Sequence, residues 1–188
     1  MAEERLQRRG RPQRVRGWVT LMIAGGVAAL PLTLPVLPQS SLPTGSWESQ
    51  INKDLSATVG WPLFVRQVAV IADDLPVDQR SHLVLFTGDY GAAGAIDLYG
   101  RRYHLPSAVS GHNTYWWWGP GRSPNNSTTI AIDLPRSFLR TMFADVSLAG
   151  TVQTPGDVWT EERGDPIYLC THQRRSWSSV WPSARHYG

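Results

Sequence analysis

The residues between Leu83 and Gly121 constrain the fold more than any other part of the chain. An apolar run over 83–86 leads into a glycine-containing turn, and a helical pattern follows over 92–99. A second short run over 107–110 comes next and ends in Gly-His-Asn. A strand, a crossover helix and a second strand together form the βαβ unit of a parallel sheet.

Beyond this unit, strand-like and helix-like segments continue to alternate. The β-branched run Thr128–Ile132 predicts a third strand, and Pro135 stands where a further helix is expected to begin. Short strands are predicted over 147–152 and 166–171, and a short helix is predicted in the aromatic, basic tail. This alternation predicts an α/β fold, a three-layer domain with a mainly parallel sheet.

Glycine and proline mark the predicted helix ends. Apolar residues at helical spacing predict a helix over 51–59, and Gly60-Trp61-Pro62 predicts a break before the next helix. Gly100 is expected to close the helix over 92–99 in the left-handed conformation.

The positive charge of the chain is concentrated at its start. The net charge is +3, but residues 1–17 carry six arginines and two glutamates, so the remainder is close to neutral. The apolar segment 18–38 follows directly, and about 20 such residues suffice to cross a bilayer as a helix. The positive-inside rule then places residues 1–17 in the cytoplasm. No basic face of the kind that binds nucleic acid follows, which argues against a nucleic-acid partner.

A cleaved signal peptide is the alternative for this segment, although no A-x-A-like cleavage site follows it. The predicted organisation is therefore a basic cytoplasmic tail over 1–17, one transmembrane helix over 18–38, a linker over 39–50 and an extracytoplasmic α/β domain over 51–188. This makes the chain a single-pass plasma-membrane protein with the lipid bilayer as one partner.

Polar residues at the ends of the first two strands are the candidates for a site. Ligands bind beyond the carboxyl ends of parallel strands, which selects Asp89 and Tyr90 after the first strand and His112 and Asn113 after the second. The aromatic residues that follow extend this set. The predicted substrate-binding residues are Asp89, Tyr90, His112, Asn113, Tyr115 and Trp116.

The other motifs of the sequence give no catalytic set. The spacing Gly88-x-x-Gly91-x-x-Gly94 is neither a dinucleotide fingerprint nor a P-loop, and it fits anion binding at a helix start or close packing of a turn. A G-x-S-x-G elbow and metal-ligand spacings such as H-E-x-x-H are absent from the sequence. We therefore predict no catalytic residue, no metal and no cofactor. The single cysteine, Cys170, is expected to be a small core residue.

Several segments in order resemble the C-terminal domain of bacterial, actinobacterial-type membrane glycosyltransferases of family 39. This group is related to protein O-mannosyltransferases and to the aminoarabinose transferase of lipid A. The segments that carry the resemblance are 51–55, 59–62, 87–97, 110–116, 119–120 and 177–187.

This resemblance implies transfer of a sugar from a polyprenyl-phosphate donor to an acceptor outside the membrane. The catalytic acid of that family lies in a loop between membrane helices, and no residue of this chain matches it. The resemblance thus implies a non-catalytic C-terminal module that aids substrate recognition. Three interpretations stay open: a truncated or split copy of such an enzyme, an accessory subunit that docks on a separate membrane glycosyltransferase, or a free-standing binding or assembly module for a glycan or a lipid-linked phosphate.

Overall fold

The computed structural model describes residues 2–33, 53–156 and 160–187. The predicted linker over 39–50 lies outside these ranges, as do the last residues of the predicted span over 18–38. The α-helices are α1 Ala2–Thr33, α2 Lys53–Asp73, α3 Val77–Ser81, α4 Tyr90–Tyr99, α5 Arg136–Met142 and α6 Trp177–Ala184. The strands are β1 Leu83–Thr87, β2 Ala108–Ser110, β3 Thr128–Ile132, β4 Phe143–Thr151 and β5 Pro166–Gln173. Two 3₁₀ helices cover Gly100–Tyr103 and Asn113–Trp118.

The strands form one mixed sheet of five strands in the order β2-β1-β3-β5-β4. β1 pairs in parallel with β2 and β3, which confirms the predicted βαβ unit. β5 runs antiparallel to both β3 and β4. The prediction of a mainly parallel sheet was therefore wrong for its second half, because β4 and β5 form a hairpin instead of further crossover units.

Helices cover both faces of the sheet, as the three-layer prediction requires. On one face Phe64 and Val68 of α2 and Ile96 of α4 pack on alternate residues of β1 and β3. On the other face Leu139 of α5 and Trp177 of α6 pack on the intervening residues. All residues of β1 and β3 are buried, which is the pattern of strands covered on both sides. Cys170 is buried in the second cluster, as predicted.

Two glycines let backbone segments approach at the carboxyl end of the sheet. A Cβ added to Gly88 would lie 1.8 Å from the carbonyl oxygen of Asp133, and one added to Gly111 would lie 1.9 Å from that of Ala184. Only glycine fits such approaches. Gly88 thus brings together the loops after β1 and β3, and Gly111 brings the end of α6 against the loop after β2.

Two predicted helix boundaries were wrong. The helix does not break at residues 60–62, since α2 is continuous through Pro62. Gly100 has φ −68° and continues into a 3₁₀ turn, and His104 takes the left-handed conformation with φ 56°. A Cβ added to Gly100 would lie 3.2 Å from the Cβ of Leu105, a tight contact that a small shift of that side chain would relieve.

Residues 18–33 of the predicted membrane span belong to α1. Within the described part of the chain, none of the helices combines the length and the apolar character needed to cross a membrane. The predicted transmembrane helix is therefore unsupported.

Candidate functional site

The loops after β1, β2 and β3 meet at the carboxyl edge of the sheet. Because the chain passes from β1 to β2 on one side and continues at β3 on the other, a crevice opens beyond β1 and β3. Asp89, His112 and Asp133 follow these three strands, and His186 reaches the same place from the C-terminal segment. Residues far apart in sequence are thus brought to the edge at which sheets of this kind bind ligands.

Asp89 caps α4 and orients His112. Its Oδ1 accepts hydrogen bonds from the backbone N–H groups of Gly91 at 2.6 Å and Ala92 at 3.1 Å. Its Oδ2 lies 3.0 Å from Nδ1 of His112. The backbone donors that an anion would use at this helix start are already occupied by the Asp89 carboxylate, so the glycine-rich turn is explained by close packing and capping.

Both ring nitrogens of His112 have partners. Nδ1 faces Asp89, and Nε2 lies 3.0 Å from the side-chain amide nitrogen of Asn113. The backbone N–H of Tyr90 also points to Nδ1 at 3.4 Å, so Nδ1 accepts from Tyr90 in one tautomer and donates to the Asp89 carboxylate in the other. The ring is oriented by its neighbours, which suits a positioning role in the site.

His186 completes the site and was missed in the sequence. Its ring stacks on that of His112 with centroids 4.9 Å apart, and its Nε2 lies 2.7 Å from the carbonyl oxygen of Gly88. Backbone hydrogen bonds join it to both neighbours of His112, from His186 N–H to the carbonyl of Gly111 and from Asn113 N–H to the carbonyl of His186. The C-terminal segment is therefore a structural part of the site.

Aromatic side chains form an open pocket of about 380 Å³ beside these histidines. We call it the aromatic pocket. Its three rings are more than half exposed, at 52% for Tyr90, 67% for Trp117 and 65% for Tyr187. Asn113 and Thr114 supply the polar groups of the same lining. Large exposed rings combined with a few hydrogen-bonding groups are typical of surfaces that bind amphipathic ligands.

The 3₁₀ helix Asn113–Trp118 decides which aromatic residues reach this pocket. Three residues complete one turn of such a helix, so residues three apart lie on the same face. Thr114 and Trp117 accordingly share the aromatic pocket. Tyr115 and Trp118 lie on another face, with ring centroids 4.4 Å apart, and line a separate cavity of about 370 Å³ beside β2.

Of the six predicted site residues, the structure brings Asp89, Tyr90, His112 and Asn113 together. Tyr115 instead donates its hydroxyl to Oδ2 of Asp97. Trp116 is half-buried, and its indole N–H donates to the backbone carbonyl oxygen of Trp181 at 3.0 Å. The indole N–H of Trp181 donates in return to the carbonyl oxygen of Trp116, also at 3.0 Å. Trp116 therefore fastens α6 to the 3₁₀ helix.

Three carboxyl groups in and near the site, those of Asp133, Glu162 and Asp165, have raised pKa values. Burial, together with the nearby charges of Asp133, Glu162 and Asp89, raises the pKa of Asp165 to about 7. Loss of hydration and the charge of Asp89 also raise the pKa of Asp133, while His186 and His112 oppose this rise. Among the residues that the structure describes, no group of histidine, cysteine, aspartate or glutamate side chains is arranged to hold a metal ion.

The remaining site residues, Thr114, Trp117, Arg185, His186 and Tyr187, were not predicted individually. The only sequence signal for them was the run of three tryptophans and the aromatic, basic composition of the tail. No protein-family model, curated protein or solved structure matches the chain.

Proposed function

We propose that this chain is a glycan-binding module that recognises a sugar in the aromatic pocket and does not catalyse a reaction alone. The observation that carries this proposal is the exposed set of three rings, Tyr90, Trp117 and Tyr187, beside the polar groups of Asn113 and Thr114. The C–H face of a pyranose packs on such rings, while its hydroxyl groups hydrogen-bond to amide and hydroxyl groups.

The sequence resemblance gives this binding a context. Under that resemblance the module serves a membrane glycosyltransferase on the outer side of the plasma membrane and presents either the acceptor glycan or the sugar of a polyprenyl-phosphate donor. The non-catalytic part of the proposal rests on the resemblance, because no residue of this chain matches the catalytic acid of that family. A free-standing binding module is the second interpretation, and it uses the same pocket.

The chain supplies a matched pair of variants for testing the pocket. Trp117 and Trp118 are adjacent and similarly exposed, at 67% and 71%, but only Trp117 lines the aromatic pocket. The labelled full chain is applied to an array of immobilised oligosaccharides. We expect Trp117→Ala to weaken retention by about 10-fold or more, since stacking and buried area at one ring are lost. Trp118→Ala is expected to retain binding.

Two results would contradict the proposal. In one, the wild-type chain binds no glycan. In the other, Trp117→Ala and Trp118→Ala weaken binding equally, which would place the sugar outside the aromatic pocket.

A further inference from the structure

A second pocket of about 510 Å³ lies beside the aromatic pocket, beyond the carboxyl ends of β1 and β3. We call it the switch pocket. Leu134 and Phe138 give it an apolar wall, and Arg185 and Asp133 are its charged lining residues. The segment 185–187 separates the two pockets, because Tyr187 lines the aromatic pocket while Arg185 and His186 line the switch pocket.

Aromatic rings fix the Arg185 guanidinium. Its central carbon lies 4.6 Å from the ring centroid of Trp116, 5.0 Å from that of Trp117 and 5.1 Å from that of Tyr187. A guanidinium stacked on rings keeps its N–H donors directed outward in its own plane. The side chain is thus held in one place before any ligand arrives, which reduces the entropy lost on binding.

Arg185 has no acidic partner among the described residues. The ion pairs there join Arg80 to Asp73, His112 to Asp89 and His172 to Asp145. A fixed and unpaired guanidinium at the mouth of a pocket offers two parallel N–H donors, the geometry that phosphate and carboxylate groups accept.

We propose that Arg185 is an anion subsite and that the ligand of this module is therefore a sugar carrying a phosphate or carboxylate group. The inference rests on the glycan-binding function proposed above. The guanidinium covers one face of Trp117, with its central carbon 5.0 Å from the ring centroid, so a sugar that packs on the remaining surface of that ring lies close to the cation. The neutral part of the ligand occupies the aromatic pocket, and its anionic substituent reaches the switch pocket.

The carboxylate of Asp133 is expected to weaken anion binding at Arg185, and this effect can be measured. Its carboxylate lines the switch pocket together with Arg185, and His186 lies there as well. An anion bound to Arg185 is repelled by the ionised form of Asp133. Asp133→Asn should consequently tighten binding of an anionic ligand more than it changes binding of a neutral sugar.

The test is calorimetric titration of the full chain with three hexoses, glucose, mannose and galactose, with their 1-phosphates, and with glucuronate and galacturonate. We expect an anionic form to bind at least about 10-fold more tightly than its parent hexose, the size of a charge-assisted hydrogen-bonded pair. The 1-phosphates and uronates distinguish phosphate from carboxylate.

Arg185→Gln should abolish the preference for anionic sugars and its salt dependence, and Arg185→Lys should retain part of that preference. Arg140→Gln, at an exposed arginine of α5, is the control.

The outcomes of this titration separate the anion subsite from glycan binding itself. A neutral hexose that binds as tightly as its anionic forms, or a preference that survives Arg185→Gln, overturns the anion subsite and leaves glycan binding intact. If neither hexose nor anionic sugar binds the wild-type chain, the glycan-binding proposal and the subsite fail together.

Discussion

Two buried threonines on adjacent strands show how single residues contribute to this core. Thr129 in β3 and Thr87 in β1 are both fully buried. The hydroxyl of Thr87 donates to the carbonyl oxygen of Asp89 at 2.8 Å, whereas that of Thr129 is buried without a hydrogen-bond partner among the described residues. Burial of an unpaired hydroxyl costs free energy, so the two positions should respond oppositely to valine.

Thr129→Val is expected to leave the free energy of unfolding unchanged or to raise it by about 1 kcal/mol, since only an unsatisfied hydroxyl is lost. Thr87→Val, the matched control, is expected to lower it by about 1 kcal/mol because a made hydrogen bond is removed. Urea denaturation measures both values. Equal destabilisation by the two substitutions would contradict the assignment of the Thr129 hydroxyl as unpaired.

The residues of the site were only partly predictable from the sequence. Asp89 and His112 were found because they follow apolar strands, a signal that local pattern carries. The sequence did not predict that Tyr115 and Trp118 line one pocket while Thr114 and Trp117 line another. This separation depends on the three-residue turn of a 3₁₀ helix, which hydrophobic periodicity does not reveal. The stacking of Arg185 on Trp116 and Trp117 depends on tertiary contacts, which local pattern does not reveal.

At the scale of elements, the docking of the C-terminal segment depends on Gly111. Gly111→Ala would place a methyl group 1.9 Å from the carbonyl oxygen of Ala184, so the segment after α6 must move away. We expect destabilisation of about 2 kcal/mol, comparable to overpacking in a core, together with loss of glycan binding.

Gly94→Ala is the matched control for that substitution. Gly94 lies within α4, and an added Cβ would meet nothing within 4 Å. Alanine is favoured over glycine inside a helix by up to about 1 kcal/mol, so this variant should be slightly more stable. Thermal unfolding compares the two variants. An undisturbed Gly111→Ala protein would contradict the close backbone approach.

The elements themselves were predicted where the local pattern was strong. The apolar runs of β1 and β3 and the helix between β1 and β2 gave the βαβ unit. The antiparallel direction of β4 and β5 was missed, although β4 lacks the continuous apolar run that is typical of a buried parallel strand. The helix α2 continues through Pro62 because Phe64, Val65 and Val68 pack on the sheet, and packing overrides the local preference of proline.

At the scale of the whole molecule, the three carboxyl groups with raised pKa values make stability depend on pH. The folded-state pKa of Asp165 is about 7 against an ordinary value of 3.8, so the folded protein holds this proton more tightly than the unfolded chain. Stability from this group is therefore fully present below about pH 4 and declines as the pH rises towards 7. The raised pKa values of Asp133 and Glu162 act in the same direction.

Asp165→Asn should flatten this decline without abolishing it. The measurement is the urea midpoint between pH 4.5 and 7.5, with Asp74→Asn at an exposed helix end as the control for the loss of one negative charge. A slope unchanged by Asp165→Asn would show that the carboxyl group releases its proton at its ordinary pKa in the folded protein.

The most direct test of the aromatic pocket as the binding site is to follow the NMR signals of the tryptophan side chains while a sugar binds. The chain has nine tryptophans, and each gives one indole N–H signal in a ¹H–¹⁵N spectrum, assigned with single Trp→Phe variants. During titration with the hexoses and hexose 1-phosphates named above, we predict that the Trp117 signal shifts while that of Trp118 stays in place. Unchanged indole signals, or a shift at Trp118 without one at Trp117, would contradict the aromatic pocket as the binding site.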